Sequence, residues 1–145
     1  MSTLVKFPGV AFEDVSYGSV ESNRTSIQKA PTAATLTAKI IGGNGWVTLV
    51  MSAEKFFWEP GKPTEPPPGL HQPPGTGGVM VGIPTATSNG VEPLPVNVGE
   101  SVFVLLTLNV PTQHLTPGPV DFTLQIESDN WTVPPIPMTV TVIAR

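Results

Sequence analysis

"ESVFVLLTLNV", residues 100–110, decides how the rest of the chain is read. Val102, Val104, Leu106, Leu108 and Val110 share one parity; Ser101, Phe103, Leu105, Thr107 and Asn109 share the other. A repeat of two is the mark of a β-strand, whose side chains point alternately to opposite faces. The first set predicts a face sealed in a core. The second is apolar only in part and predicts a face that is partly covered.

Downstream the same pattern returns. "DFTLQIESD" (121–129) sets Phe122, Leu124 and Ile126 against Thr123, Gln125 and Glu127, and "MTVTVIA" (138–144) sets Met138, Val140 and Val142 against Thr139 and Thr141. Alternating segments separated by turn-rich stretches such as "PTQHLTPGPV" (111–120) predict antiparallel sheet with one wet face. Upstream, "TLTAKII" (35–41) and "WVTLVM" (46–51) flank Gly42–Gly45, which reads as a hairpin turn because Gly and Asn tolerate positive φ. "GVAFEDV" (9–15) and "NRTSIQKA" (23–30) read as further strands. "VMVGIP" (79–84) and "LPVNV" (94–98) read as short ones that proline confines to edges or ends. "SAEKFFW" (52–58) reads as a helical turn running into Pro60. The expected total is about seven to nine strands, an all-β antiparallel sandwich.

The totals agree with this reading. At 145 residues the chain has the length of one ordinary domain, so residues 1–145 are read as one unit. Without cysteine there is no disulfide, thiol nucleophile or thiolate metal ligand. A net charge of −4 with seven scattered Lys and Arg residues offers no run of cations for a phosphate backbone, which argues against nucleic acid as a partner. No apolar stretch has transmembrane length, and "MSTLVKFPGV" lacks the charged and apolar regions of a signal peptide. A soluble protein is expected, any export signal having been removed or belonging to a larger precursor.

"GKPTEPPPGLHQPPGTGG" (61–78) interrupts the strand pattern with eleven Pro or Gly in eighteen residues, too many for sheet or helix. Were it a linker, the segments before it would need a core of their own, and they are too few to build one. It reads instead as an insertion, 59–78, between strands of one domain. Pro66, Pro67 and Pro68 favour polyproline II, but no flanking cation completes a PxxP ligand.

Catalytic patterns are sparse. Ser52-Ala53-Glu54-Lys55 matches Ser-x-x-Lys, but that chemistry needs a helix start and a Lys-Thr-Gly element the chain lacks. His71 and His114 sit singly in proline-flanked loops, with no convergent metal ligands in sequence. Glu13 and Asp14 are adjacent in a strand and are expected on opposite faces. Glu127 and Asp129 share a parity beside Asn130, too few oxygens for calcium. The glycine-rich "IIGGNGW" and "GTGGVMVG" lead into no helix and so offer no phosphate cradle. No catalytic residue, cofactor or metal is expected. Asn23-Arg24-Thr25 and Asn130-Trp131-Thr132 are glycosylation acceptor tripeptides.

The remaining signal is aromatic. Trp46, Phe56, Phe57, Trp58 and Trp131 stand beside turns or the proline segment. Large aromatics usually plug a core, but one exposed beside rigid prolines would make a contact surface of low conformational entropy. The interaction candidates are Phe57, Trp58, Pro66, Pro67, Pro68, Leu70, His71 and Trp131.

Gly99-Glu100-Ser101, Pro117-Gly118, Ile126-Glu127-Ser128-Asp129 and Val140-Thr141-Val142, with "VSYGSV" (15–20), resemble the pattern of immunoglobulin-like modules named after abnormal spindle, SPD-2 and hydin. Related bacterial and major-sperm-protein-like sandwiches are similar too. "QKAPTAAT" (28–35) departs from the Asn-Thr-Gly turn of that family, and 59–78 is an insertion relative to it. The resemblance implies a non-enzymatic seven-stranded sandwich used for binding or spacing. The function expected is a structural or protein-interaction module within a surface or particle assembly, extracellular, on a cell surface or in a virion. A partner or a second copy would meet its loops or an exposed edge strand. The alternative is a carbohydrate-binding module in which Trp46, Trp58 or Trp131 stacks on sugar rings.

Overall fold

The computed structural model describes residues 2–42, 45–59, 79–112 and 118–143, the side chains of 57–59, 79 and 80 lying outside that description. The described residues form β1 (Thr3–Leu4), β2 (Val10–Val15), β3 (Val20–Ile27), β4 (Ala34–Gly42), β5 (Val47–Glu59), β6 (Val79–Ser88), β7 (Leu94–Val96), β8 (Ser101–Asn109), β9 (Gly118–Ser128), β10 (Trp131–Thr132) and β11 (Ile136–Val142). Five strands make one sheet in the order β2-β11-β9-β4-β7, four make a second in the order β3-β8-β5-β6, and β1 pairs with β10 apart from both. The fold is an all-β sandwich, with nine strands in the two main sheets and one additional two-residue pair.

Alternation drives the layering. Val102, Val104, Leu106 and Leu108 from β8 and Met51 and Ala53 from β5 are completely buried, facing Leu36, Leu124 and Val140 of the other sheet. These residues belong to one continuous apolar cluster with Phe12, Phe122, Ile126, Trp131 and Met138. Burying a side chain of this size stabilises by about 1.5–3 kcal/mol, so the cluster dominates the stability.

Most connections cross between sheets. Only β5–β6 and β9–β11 are consecutive neighbours within a main sheet, once β10 is set aside. This corrects the hairpin expected at Gly42–Gly45: β4 and β5 lie in opposite sheets and do not pair. Likewise β8 does not sit beside β9, although both alternate cleanly. A half-buried strand shows the same pattern whichever layer it belongs to, so periodicity could not place it. The expected helical turn at 52–58 is strand, part of a thirteen-residue β5. Pairing with β8 as far as Glu54 and with β6 as far as Glu59 overrides the helix preference of Ser-Ala-Glu-Lys.

Two bulges adjust the pattern. In β2, Asp14 has φ 53°, and the pairing with β11 shifts between Val140 and Val142. The extra residue turns Val15 into the core and leaves Glu13 and Asp14 both exposed, not on opposite faces as strict alternation predicts. In β6, Thr85 is skipped between the Ala53–Ala86 and Glu54–Pro84 pairs.

Candidate contact surface

Edges come first, since an open edge strand could extend a partner's sheet. Asn23 Nδ2 donates to the Ala11 carbonyl at 3.0 Å and Thr25 Oγ1 to that of Pro8 at 2.7 Å, so the free side of β3 is tied to the opposite sheet at β2. β7 is three residues long and contains Pro95, and β6 carries Pro84 next to its bulge. β6 and β7 are both edge strands, as their prolines require. Short length, proline and bulges are the devices that block edge-to-edge pairing. The described edges are blunted, which turns attention to the faces.

The two outer faces differ. On the five-stranded sheet the outward positions are Thr35, Thr37 and Lys39 of β4, Thr123, Gln125 and Glu127 of β9, and Thr139 and Thr141 of β11, a solvated pattern apart from Ile41. On the four-stranded sheet they include Val50 (50% exposed), Leu105 (45%) and Phe56 (44%), with Phe103 half-buried among them. Register makes them neighbours: Arg24, Leu105 and Val50 lie in one row across β3, β8 and β5, and Ser26, Phe103 and Ser52 in the next. Phe56 leans on Phe103 with ring centroids 6.0 Å apart and planes tilted by 59°. It crosses β6 at Gly82, where an added Cβ would stand 2.6 Å from Phe56 Cε1. Glycine there gives the ring its seat.

Charge borders this aromatic pair. The guanidinium carbon of Arg24 lies 5.4 Å from the Phe103 ring centroid, a cation–π contact. Arg24, Ser26, Gln28, Lys29, Phe56, Ser101 and Phe103 enclose a shallow depression of about 410 Å³. Ser101 spends its hydroxyl on the Gln28 carbonyl at 2.6 Å, so the polar capacity of the depression rests mainly on the two cations, Gln28 and Ser26. A second depression, about 280 Å³, lies on the solvated face beside Gly90, Gln125 and Glu127.

The wall beneath is held by a buried carboxylate. Glu100, 5% exposed, accepts from the Asn97 amide at 2.6 Å and from the Thr85 hydroxyl at 2.7 Å, tying the β7–β8 turn to the β6 bulge. Its backbone carbonyl accepts from Ala30 N at 2.7 Å, fixing the end of β3. Gly99-Glu100-Ser101 is thus a structural clamp.

The residues singled out in the sequence do not gather into one site. Trp131 is 3% exposed and donates its indole N–H to Thr32 Oγ1 at 2.9 Å, so it is core and no contact residue. Trp46 is partly buried against the same core. Phe57 and Trp58 lie on β5 with backbones paired to Val81 and Met80, whereas Pro66, Pro67, Pro68, Leu70, His71 and His114 lie outside the described residues. Ser52 and Lys55, three apart on a strand, occupy opposite faces, and Ser52 Oγ is 3.5 Å from Glu54 Oε2. Asp129 Oδ1 accepts from the Thr35 amide at 2.8 Å, which holds its carboxyl below the usual 3.8, and the Asn130 amide and Ser128 add to this against a smaller desolvation cost. Among the described residues no three metal-ligating side chains cluster. Sequence reasoning passed over Phe103, Arg24 and Val50; the signal was the apolar second parity of β8, which a one-wet-face strand does not need.

No family model matches the chain, and no curated protein matches it in sequence. Among solved structures it is similar in fold to part of a family 123 glycoside hydrolase from Clostridium perfringens, described for glycolipid glycan hydrolysis. The TM-score is 0.60 at 11% identity, over 94% of this chain and 23% of that one. The likeness is one of fold: this chain spans about a quarter of the hydrolase's length.

Proposed function

We propose that this protein is a non-catalytic interaction module whose contact surface is the outer face of the four-stranded sheet, one unit of a larger surface or particle assembly. The observation that carries the reading is an asymmetry of the two faces: Val50, Leu105, Phe103 and Phe56 adjoin on one, among serine, threonine and charge, whereas on the other Ile41 stands alone among threonine, glutamine and charge. A sheet face that met only water would need no such row, and contiguous exposed apolar residues mark contact sites. The blunted edges favour docking by face over strand addition. A low charge and threonine-rich outer strands suit an extracellular, cell-surface or virion setting. The fold likeness to part of a glycoside hydrolase is compatible with an accessory role and assigns no chemistry.

A photo-crosslinking residue placed at Leu105, and in a control at Thr123 on the opposite sheet, tests this in the native setting. A discrete protein adduct is expected from Leu105 alone, lost on Val50→Glu. Equal labelling from both faces would refute the reading. The sugar-binding alternative predicts a change in tryptophan fluorescence with some member of a glycan panel, carried by Trp46 or Trp58, since Trp131 is buried.

A further inference from the structure

Arg24 and Lys29 make no ion pair among the described residues, yet both line the depression beside Phe56 and Phe103. In a chain of net charge −4, the two cations make the β3 side of this depression positive, with Glu54 the acidic residue nearby on β5. We infer that this depression receives an acidic peptide segment of a protein partner. A glutamate or aspartate carboxylate sits against Arg24 and Lys29, and an adjoining apolar side chain lies on Phe56 and Phe103. The inference rests on the reading of this face as the contact surface and adds the chemistry of what binds there.

Four observations select this occupant. The Arg24 guanidinium is already held near the Phe103 ring by the cation–π contact, so it can meet a carboxylate with less ordering cost than a free arginine. A volume of about 410 Å³ accommodates a few side chains and lies in the range of ligand pockets, generally about 300–1,000 Å³. A phosphate polymer would need more than two cations along its track. A neutral sugar would leave the charge of Arg24 and Lys29 without a counter-charge, which a carboxylate supplies. Glu54 lies on the same outer face, opposite Ser101 and between the rows of Phe103 and Phe56, though it does not itself line the depression. It would disfavour a second carboxylate on that side, giving the acidic segment one preferred direction.

The test is an amide-resolved NMR titration of the whole chain with a capped peptide alternating glutamate and phenylalanine. The same peptide with glutamine for glutamate is run in parallel, as is sodium glucuronate. Saturable shifts at residues 24–29, 56 and 101–103 are expected from the acidic peptide. The glutamine peptide should bind about tenfold more weakly, and Arg24→Gln or Lys29→Gln should lose about as much. Raising salt to about 0.3 M should weaken binding of the acidic peptide while leaving that of the glutamine peptide unchanged. Equal binding of the two peptides, no saturable shift, or glucuronate matching the acidic peptide would each overturn the inference. If the peptide fails while the Leu105 crosslink persists, the contact surface stands and only the acidic partner falls. Should both fail, the reading beneath it falls as well.

Discussion

Replacing Glu100 is the most direct probe of how the contact face is supported. Its carboxylate is buried, has no cation paired with it among the described residues, and is stabilised by two short bonds, from Asn97 N at 2.6 Å and Thr85 Oγ1 at 2.7 Å. Glu100→Ala removes both. Thr85 keeps its longer bond to the Ala53 carbonyl at 3.1 Å, but the Asn97 amide is left without its acceptor. Hydrogen bonds to charged groups contribute about 1.5–3 kcal/mol each. Asn97 and Thr85 are exposed residues, so water takes up part of the loss, and about 3 kcal/mol is expected, a large part of the ordinary 5–15 kcal/mol of a domain. Glu100→Gln retains an acceptor for Asn97 and offers an amide to the Thr85 hydroxyl, which can accept it; a loss of about 1 kcal/mol is expected. Urea denaturation followed by tryptophan fluorescence reports both, since Trp131 is buried in the core. If Glu100→Ala lay within about 0.5 kcal/mol of the parent, or Glu100→Gln cost as much as Glu100→Ala, the clamp would not be the support described.

Other substitutions test separate parts of the argument. Asp14→Val forces a β-branched residue to φ 53° and should cost about 1–2 kcal/mol, with Asp14→Gly close to neutral, in the same denaturation assay. Trp131→Phe deletes the bond to Thr32 and leaves a gap, for an expected loss of about 2 kcal/mol, whereas Thr32→Val should lose about 1 kcal/mol. Gly82→Ala should push the Phe56 ring off its seat against Phe103; with an exposed ring free to turn, stability should move by less than about 1 kcal/mol while ring-current shifts at Phe103 change. Because the folded-state pKa of Asp129 is depressed, its stabilising contribution is whole above its unfolded value of about 4 and is lost as pH falls through the folded one. Asp129→Asn should therefore flatten the dependence of stability on pH on the acid side, read by circular dichroism between about pH 5 and about pH 2.

How far the sequence could be read follows from what a period of two can and cannot say. It assigns residues to faces, and Val102, Leu106, Phe122, Leu124, Met138 and Val140 are buried as their parity requires. It is silent on which layer a strand joins, so the crossing at Gly42–Gly45 looked like a hairpin. Bulges are invisible to it, because an αL residue such as Asp14 leaves no gap in the pattern. The helix reading at 52–58 came from local propensity, which gave way to cross-strand pairing. Of the aromatic candidates, Trp131 had a polar handle that could be satisfied inside, and it was. The surface formed by Phe103, Phe56, Val50 and Leu105 depends on register across β8, β5 and β6, which no single segment contains.

That register ties the contact face to the core. β8 is buried on its inner side without exception from Val102 to Leu108, so its backbone cannot slide without moving apolar groups into water. A slip of one residue would exchange Leu106 for Leu105 and Val104 for Phe103, reversing which face is sealed. The inner parity therefore holds Phe103 and Leu105 at set positions on the outside, and β5, pinned by Met51 and Ala53, does the same for Val50 and Phe56. A contact surface built on the middle strands of a sheet has its geometry fixed before any partner arrives, which lowers the ordering cost of binding. Under the proposed function, the apolar second parity of "VFVLL" is the part of the strand that would meet a partner, from positions the inner parity has already set.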